Sequence, residues 1–337
     1  MQHTEVRLKA EWEEQSAIML TLPKLEESWY RDFPEIEDSI LEIVKEISQD
    51  QKVILSSIEK IKITEKLSSL GANLNNINIF EIEADDIWAR DHGPITVFEN
   101  SKKKFLDFTF NGWGNKFIAQ KDNMINSRLK QEKVFDNLET IDFILEGGSI
   151  ETDGQGTIMT TSECLLNSNR NIGFSKEQIE EILKKYLNAK RILWLNSGFL
   201  SGDDTDCHID NLARFAPNNT IIYITEKNPS DIHFEPLQKM KKEILNFRQI
   251  NNQEYNFFEL PLPKPIFDKE GIRLPASYAN FLIINTKVLL PIFNDPSDLE
   301  ALNVLQQCFP TREIIPINGH NLIIGRGGIH CVTMQIN

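Results

Sequence analysis

The residue types that could do chemistry are concentrated in six short stretches, in which polar or charged residues stand beside glycine or aromatic residues. Charged groups next to strands, with glycine allowing close backbone approach, are typical of sites in α/β proteins. The stretches are DDIWARDHGP (85–94), FNGWGNKF (110–117), LEGGSI (145–150), SGDDTDCHID (201–210), LPASYANF (274–281) and GRGGIHCVT (325–333). We expect the functional side chains to come from them.

The candidate nucleophile is Cys331 in the last stretch. A thiol attacks as its thiolate, which requires an electropositive neighbour. His330 is adjacent but would point the opposite way in an extended segment, so His208 is the better partner. The alternative is a small buried cysteine without a chemical role, which is the more frequent fate of any one cysteine. Cys164 and Cys308 lie in stretches that indicate ordinary packing.

Two aspartates are candidates for binding a cation. If the chain forms a strand from Cys207 onward, His208 and Asp210 point to the same face. Together with Asp91, Asp210 could hold a guanidinium by paired charge-assisted hydrogen bonds and leave its central carbon open to a thiolate. The alternatives are an acidic turn followed by a buried histidine, and a structural ion pair between Arg90 and Asp91.

Other kinds of site are less well supported. Four aspartates between residues 203 and 210 suggest Ca²⁺ or Mg²⁺, but the EF-hand pattern lacks its glycine at position six and its glutamate at position twelve. Neither GxGxxG nor GxxxxGK occurs, which argues against a nucleotide. Glu146 precedes two glycines after an apolar stretch, a position suited to orienting another group at a strand end.

Composition restricts the class of protein. The chain has 337 residues, 40% of them hydrophobic, and a net charge of −14. It can bury a sizeable core, so general disorder is excluded. The acidic balance argues against nucleic acid and anionic membranes as partners and suits a cationic ligand. No run of roughly 18 apolar residues, no signal peptide and no disulfide or zinc spacing is seen, so a cytoplasmic location is expected.

The elements that must position these residues alternate between helix and strand. Apolar residues at helical spacing predict helices over 34–47 and up to residue 70, and Ser175 with Gln178 predicts a capping box. Strands are predicted at 51–57, 77–83, 191–195, 220–225, 281–285, 288–293 and 312–317, and a helix from residue 297. Mixed α and β elements without a linker favour a single α/β domain over residues 1–337.

The six stretches, in this order, resemble the agmatine deiminase branch of the guanidine-modifying enzymes, within their peptidylarginine deiminase-like family. The resemblance spans most of the chain. It implies a five-bladed, pseudo-symmetric α/β propeller of ββαβ units with the site at its centre. The alternation of elements does not by itself predict a propeller.

The resemblance also implies roles for individual residues. Cys331 would be the nucleophile, His208 the general acid and base, and Glu146 the partner of that histidine. Asp91 and Asp210 would hold the guanidinium. The aliphatic tail and terminal amine of the substrate would lie near Trp88 and Asp204. Two residues depart from the family pattern, because glycine usually stands at the positions of Cys207 and Arg326.

The implied reaction is hydrolysis of agmatine to N-carbamoylputrescine and ammonia through an amidino-cysteine, a step of putrescine and polyamine biosynthesis. No metal or cofactor is expected, and the partner is a small cationic substrate. The sequence leaves homo-oligomerisation open. Alternatives are deimination of peptidyl-arginine or free arginine, amidino transfer, and a catalytically inactive polyamine-binding module. Arg214 and Arg326 keep open the alternatives whose substrates carry a carboxylate.

Overall fold

The computed structural model describes residues 6–337, which contain seventeen strands and ten α-helices. The strands are β1 (Val6–Leu8), β2 (Ala17–Thr21), β3 (Lys52–Ser56), β4 (Ile77–Phe80), β5 (Ile95–Glu99), β6 (Lys102–Thr109), β7 (Leu138–Ile144), β8 (Ile150–Thr152), β9 (Thr157–Thr161), β10 (Arg191–Leu195), β11 (Ala213–Ala216), β12 (Thr220–Thr225), β13 (Asn256–Pro261), β14 (Leu282–Ile283), β15 (Lys287–Ile292), β16 (Glu313–Asn318) and β17 (Met334–Ile336). The helices are α1 (Glu35–Ser48), α2 (Lys60–Ser69), α3 (Ala89–His92), α4 (Gly112–Asn115), α5 (Ile125–Gln131), α6 (Ser162–Leu165), α7 (Lys176–Leu187), α8 (Phe234–Leu245), α9 (Ser297–Cys308) and α10 (His320–Ile324).

The strands form five separate sheets with one shared plan. In each, two strands pair antiparallel, a helix follows, and a third strand returns parallel to the second. The units are β5-β6-α5-β7, β8-β9-α7-β10, β11-β12-α8-β13, β14-β15-α9-β16 and β17-β2-α1-β3. The strand β1 extends the first of these sheets and β4 the last. The predicted five-bladed propeller of ββαβ units is confirmed.

The fifth unit joins the two ends of the chain. Strand β17 pairs antiparallel with β2, with Met334 opposite Met19, and β2 pairs parallel with β3. This pairing brings the segment around Cys331 beside an N-terminal strand and closes the circle of units.

Local sequence explains the long helices. Helix α1 begins after Pro34, and its apolar side chains are buried along one face, as the helical spacing predicts. Helix α7 has the predicted capping box: the Ser175 hydroxyl accepts from the Gln178 N–H at 3.3 Å, and the Gln178 side chain accepts from the Ser175 N–H at 2.8 Å. No helix among residues 6–337 has both the length and the apolar content needed to cross a bilayer.

The chain from Cys207 onward does not form the strand on which the same-face argument for His208 and Asp210 depends. Residues 203–207 form a tight turn because the Asp203 carboxylate accepts hydrogen bonds from the backbone N–H groups of Thr205 and Cys207, at 3.3 and 2.8 Å. A single helical turn follows at 209–211, and the strand β11 begins only at Ala213. His208 and Asp210 are therefore positioned by turns rather than by strand alternation.

Five of the six polar stretches occupy the same place in their units, directly before or at the first strand. The stretches at 85–94, 145–150, 201–210, 274–281 and 325–333 lead into β5, β8, β11, β14 and β17. They contact one another across unit boundaries: α3 contacts residues 147–149 and β17, and residues 147–149 contact residues 209–211. The topology thus gathers residues from distant parts of the sequence where the units meet.

Candidate active site

The thiol of Cys331 lies where these stretches meet, and the residue is 4% exposed. Its Sγ is 3.1 Å from the Asn280 Nδ2, which can donate to it, and 3.9 Å from the Asp210 Oδ2. Burial, followed by the negative charges of Asp210 and Asp91, raises the pKa of the Cys331 thiol well above its ordinary value. The thiol is therefore neutral unless a cation enters the site.

A cavity of about 330 Å³ extends from this thiol, and its wall is aromatic and acidic. Trp29 and Trp88 are stacked in it with ring centroids 6.5 Å apart and an interplanar angle of 10°. The lining side chains include Trp29, Asp86, Trp88, Trp113, Phe117, Asp204 and Arg326. Apolar faces with carboxylates between them suit a chain that carries positive charge.

His208 is completely buried beside Asp91, with its Nδ1 3.6 Å from the Asp91 Oδ1. Neither ring nitrogen has a hydrogen-bond partner among residues 6–337. Burial alone would lower the pKa of His208, but the negative charge of Asp91, followed by the neighbouring Cys164 sulfur and then by Glu146, raises it well above its ordinary value. A protonated imidazole in this position can donate a proton to a leaving group.

Asp91 is held by two donors, the Gly148 N–H at 3.0 Å from Oδ1 and the Trp113 Nε1 at 3.0 Å from Oδ2. Burial raises the pKa of Asp91 to about 6, against the opposing effect of His208. Gly148 has to be glycine here. A Cβ would lie 2.6 Å from the His208 Nδ1, 2.8 Å from the Asp91 Oδ1 and 3.2 Å from the Asp210 Oδ2. These three groups therefore converge on one point of the backbone.

Asp210 has one satisfied and one unsatisfied oxygen. The His330 Nδ1 lies 2.8 Å from Oδ2, whereas Oδ1 is buried and has no partner among the described residues. Burial raises the pKa of Asp210, but the hydrogen bond and charge of His330 outweigh it and bring the pKa below its ordinary value. Asp210 is therefore a carboxylate with an acceptor available to a ligand.

Glu146 differs in part from its prediction. Its two oxygens accept from the Arg170 Nε at 2.8 and 3.0 Å, so its hydrogen-bond partner is an arginine that the six stretches do not contain. Polar atoms of Glu146, Cys164 and His208 nevertheless lie within 4.8 Å of one another. Glu146 therefore lies close to the histidine. Cys164 packs in the core from helix α6, as its stretch indicates, and its sulfur also lies beside these two residues.

Trp88 and Asp204, which the resemblance places near a substrate tail, both line the cavity. Burial, followed by the charge of Asp203, raises the pKa of Asp204 to about 7. A second carboxylate, Asp86, was not predicted; it accepts from the Trp29 Nε1 at 2.8 Å, and burial raises its pKa to about 6. Its position at the start of the first polar stretch was the only signal for it.

The two departures from the family pattern share a backbone feature. Cys207 has φ +63° and Arg326 has φ +71°, the left-handed region in which glycine has no steric penalty. Burial raises the pKa of Cys207 to about 12, so this thiol is a poor nucleophile. The Arg326 Nη2 is paired with Asp268 at 3.0 Å.

Arg214 is fully buried and bound on both sides by carboxylates, those of Glu11 and Glu151. It therefore has no direct access to a substrate carboxylate. Within residues 6–337, two groups have a spacing that a metal could use, Glu146 with Cys164 and His208, and Glu11 with Glu151 and His330. In the first group Arg170 already bonds the carboxylate, and in the second Arg214 bonds both carboxylates, which disfavours binding of a metal cation.

Comparison with known proteins gives a consistent set of relatives. The model of the Porphyromonas-type peptidyl-arginine deiminase family matches residues 7–336. Agmatine deiminases of Pseudomonas aeruginosa and Stutzerimonas stutzeri are 30% and 31% identical over 98% and 97% of this chain and 95% and 94% of their own lengths.

Solved structures agree with these matches. An agmatine deiminase of C. jejuni, with a cysteine-to-serine substitution and its substrate bound, is 39% identical, with a TM-score of 0.92 over 100% of this chain and 97% of its own. The agmatine deiminase of Enterococcus faecalis is 28% identical, with a TM-score of 0.89 over 98% of this chain and 95% of its own.

Proposed function

Because the chain belongs to the Porphyromonas-type peptidyl-arginine deiminase family, we propose that it is a hydrolase of linear amidines that converts agmatine to N-carbamoylputrescine and ammonia. Its relatives named agmatine deiminase match it over nearly the full length of both chains. The observation that carries the proposal is the pair of buried carboxylates, Asp91 and Asp210, that converge beside the thiol of Cys331.

Binding comes first in the proposed mechanism. The guanidinium donates hydrogen bonds to Asp91 and to the unpartnered oxygen of Asp210, which fixes its central carbon next to Sγ. The charge of the cation offsets the carboxylates that raise the pKa of Cys331. The thiol therefore releases its proton to solvent when substrate is bound. The thiolate forms a bond to the guanidinium carbon, and the C=N electron pair moves onto nitrogen.

His208 carries the proton in both halves of the reaction. As an imidazolium it protonates the departing nitrogen, the C–N bond breaks, and ammonia leaves an amidino group on Cys331. The neutral imidazole then takes a proton from water, whose oxygen attacks the same carbon. The C–S bond breaks, and the remaining hydroxyl proton passes to solvent, where it converts the released ammonia to ammonium. N-carbamoylputrescine, the thiolate and the imidazolium are formed. No step uses a metal.

The cavity wall supports agmatine over arginine. A free α-carboxylate would meet Asp86 and Asp204, whereas a terminal ammonium would be attracted to them. The cation on this wall, Arg326, is paired with Asp268. Release of ammonia from agmatine, free arginine and an arginyl peptide tests the proposal. Agmatine should have the highest kcat/KM by a wide margin, and equal values for agmatine and arginine would contradict it.

The family's own description favours one second candidate, deimination of arginine within a peptide. The same assay decides between the two, because an arginyl peptide lacks the terminal ammonium but keeps the guanidinium. We further propose a single catalytic domain, a cytoplasmic location and a role in putrescine biosynthesis, without nucleic acid or membrane as partner.

A further inference from the structure

His330 stands next to the proposed nucleophile, and its ring bonds a buried network of charges rather than the thiol. Its Nδ1 is 2.8 Å from the Asp210 Oδ2. Its Nε2 is 2.9 Å from the Glu11 Oε2 and 3.0 Å from the Arg214 Nη2. His330 is thus the only residue described that joins the Asp210 carboxylate to this network by hydrogen bonds.

The tautomer of His330 follows from the partners. Asp210 is ionised, so its Oδ2 can only accept, and the Nδ1 of His330 must carry hydrogen. The opposite nitrogen faces one acceptor, Glu11, and one donor, Arg214. Nε2 can therefore donate to Glu11 when it carries hydrogen and accept from Arg214 when it does not. In both cases the Nδ1–H donates to Asp210.

The far side of the ring is anchored from several units. The Glu11 Oε1 accepts from the Ile283 N–H at 2.8 Å, and its Oε2 accepts from the Arg214 Nη2 at 2.5 Å. Arg214 also donates to the carbonyls of Ala279 and Phe281, at 3.1 and 2.6 Å. A ring held in this way cannot rotate without breaking buried charged hydrogen bonds.

We propose that His330 is a positioning residue for Asp210, with Glu11 as its anchor: it occupies one carboxylate oxygen and leaves the other for the guanidinium. The inference rests on the proposed function, in which Asp210 binds that guanidinium. His330 touches no reacting atom. Its contribution is to select the orientation and the ionised form of a side chain that does.

The consequence for pH has a definite sign. Asp210 faces His330, His208, the Asp91 carboxylate and the thiol of Cys331, and the charge of Arg214 also acts on it. His330 faces Glu11 and Arg214. Without the Nδ1–H donor, burial dominates and the pKa of Asp210 rises. Asp210 then joins Asp91, whose pKa is about 6, among the carboxylates of the site that protonate in the acid range of activity.

Three variants test the proposal by ammonia release from agmatine between pH 5 and 9. His330→Leu removes the donor. His330→Asn returns a donor near the position of Nδ1. The matched control is His320→Leu, because the His320 ring lies outside the cavity and bonds the carbonyl of Phe293. We expect His330→Leu to raise KM at least tenfold, with a smaller change in kcat, and to move the acid limb of kcat/KM upward and steepen it.

His330→Asn should recover most of the KM and the position of the acid limb, and His320→Leu should match the wild type. A second measurement does not depend on turnover: in a Cys331→Ser background, adding His330→Leu should weaken agmatine binding by calorimetry about tenfold more than adding His330→Asn. Glu11→Gln should also weaken agmatine binding. Its control is Glu13→Gln, at the partly exposed pair of Glu13 with Arg7.

The outcomes are separable. Wild-type protein that releases no ammonia from agmatine defeats the proposed function. If the wild type is active and both His330→Leu and His330→Asn keep the wild-type KM and acid limb, the positioning role is wrong. Thermal melts show whether His330→Leu is folded. If it is not, the test depends on His330→Asn: a folded His330→Asn variant that does not bind agmatine with near wild-type affinity overturns the inference.

Discussion

Two pairs of buried carboxylates lie close together in the part of the chain that the structure describes, and only one of them holds a guanidinium from the chain itself. Arg214 is enclosed by the carboxylates of Glu11 and Glu151 and by two backbone carbonyls. The neighbouring pair, Asp91 and Asp210, has the same chemistry, but the Asp210 Oδ1 lacks a partner among the described residues. A satisfied buried cluster stabilises the fold, whereas an unsatisfied one is poised for a ligand.

The two sites are joined as well as similar. His330 connects Asp210 of the open site to Glu11 of the filled site. The open site has one feature that the filled site lacks, a thiol 3.9 Å from its carboxylate. Chemistry should therefore fail when the open site is changed, and folding should fail when the filled site is changed.

The largest effect is expected for the thiol. Cys331→Ser should abolish turnover while agmatine still binds, because Asp91 and Asp210 are untouched. Acid quench of the wild type during turnover should yield an amidino adduct that peptide mapping assigns to the fragment containing Cys331. Cys308→Ser, in helix α9, is the matched control and should stay active. An adduct on Cys207, or Cys331→Ser with wild-type turnover, would sink the mechanism.

The filled site should control stability. Arg214→Met leaves two buried carboxylates without their cation and should reduce the free energy of unfolding by about 3–5 kcal/mol. Arg326→Met breaks a partly exposed single pair and should change it by less than about 1 kcal/mol. Urea denaturation measures both, and similar losses in the two variants would contradict the contrast between the sites.

The open site should control activity without controlling stability. Asp210→Asn removes one charged acceptor for the guanidinium, worth about 1.5–3 kcal/mol, which corresponds to roughly 10- to 150-fold in kcat/KM. Asp91→Asn should lose at least as much, because Asp91 also faces His208. Their melting temperatures should stay near that of the wild type. Asp38→Asn, at an exposed pair with Lys66 away from the cavity, serves as a control. Wild-type kinetics in Asp210→Asn would show that this assignment is wrong.

Different parts of this arrangement were predictable to different degrees. Helices α1 and α7 have strong local signals, a buried stripe and a capping box, and were predicted well. The turn at 203–207 was not, because side-chain hydrogen bonds from Asp203 override the apparent strand pattern. The five-unit plan came from the resemblance, since alternating elements alone fit many α/β folds.

The same holds for the site. Cys331, His208 and the two aspartates stand in stretches whose composition is unusual, so the sequence points to them. Glu11 and Arg170 stand outside those stretches, and their importance depends on contacts between residues far apart in sequence, 319 positions for Glu11 and His330. No local pattern could have identified them.

Acid should separate activity from stability. Asp91 must be ionised to bind the cation, and its pKa is about 6, so kcat/KM should fall as the pH drops through 6. The raised pKa values of Asp91 and His208 mean that neither group loses stabilising free energy on acidification to pH 5. Protein held at pH 5 should remain folded by circular dichroism and regain activity at pH 7.5. An activity that is flat down to pH 5 would contradict this.

The smallest expected effect is that of chelation. The acidic stretch and two carboxylate clusters have compositions that could suggest a metal, but Asp203 bonds backbone N–H groups, Asp206 pairs with Lys116 and Arg170, and arginines occupy the clusters. EDTA treatment followed by gel filtration should therefore leave the rate of ammonia release unchanged. The control is the same procedure without EDTA. A loss of activity that Ca²⁺ or Mg²⁺ restores would mean that one of these carboxylate groups exchanges its arginine for a cation during turnover.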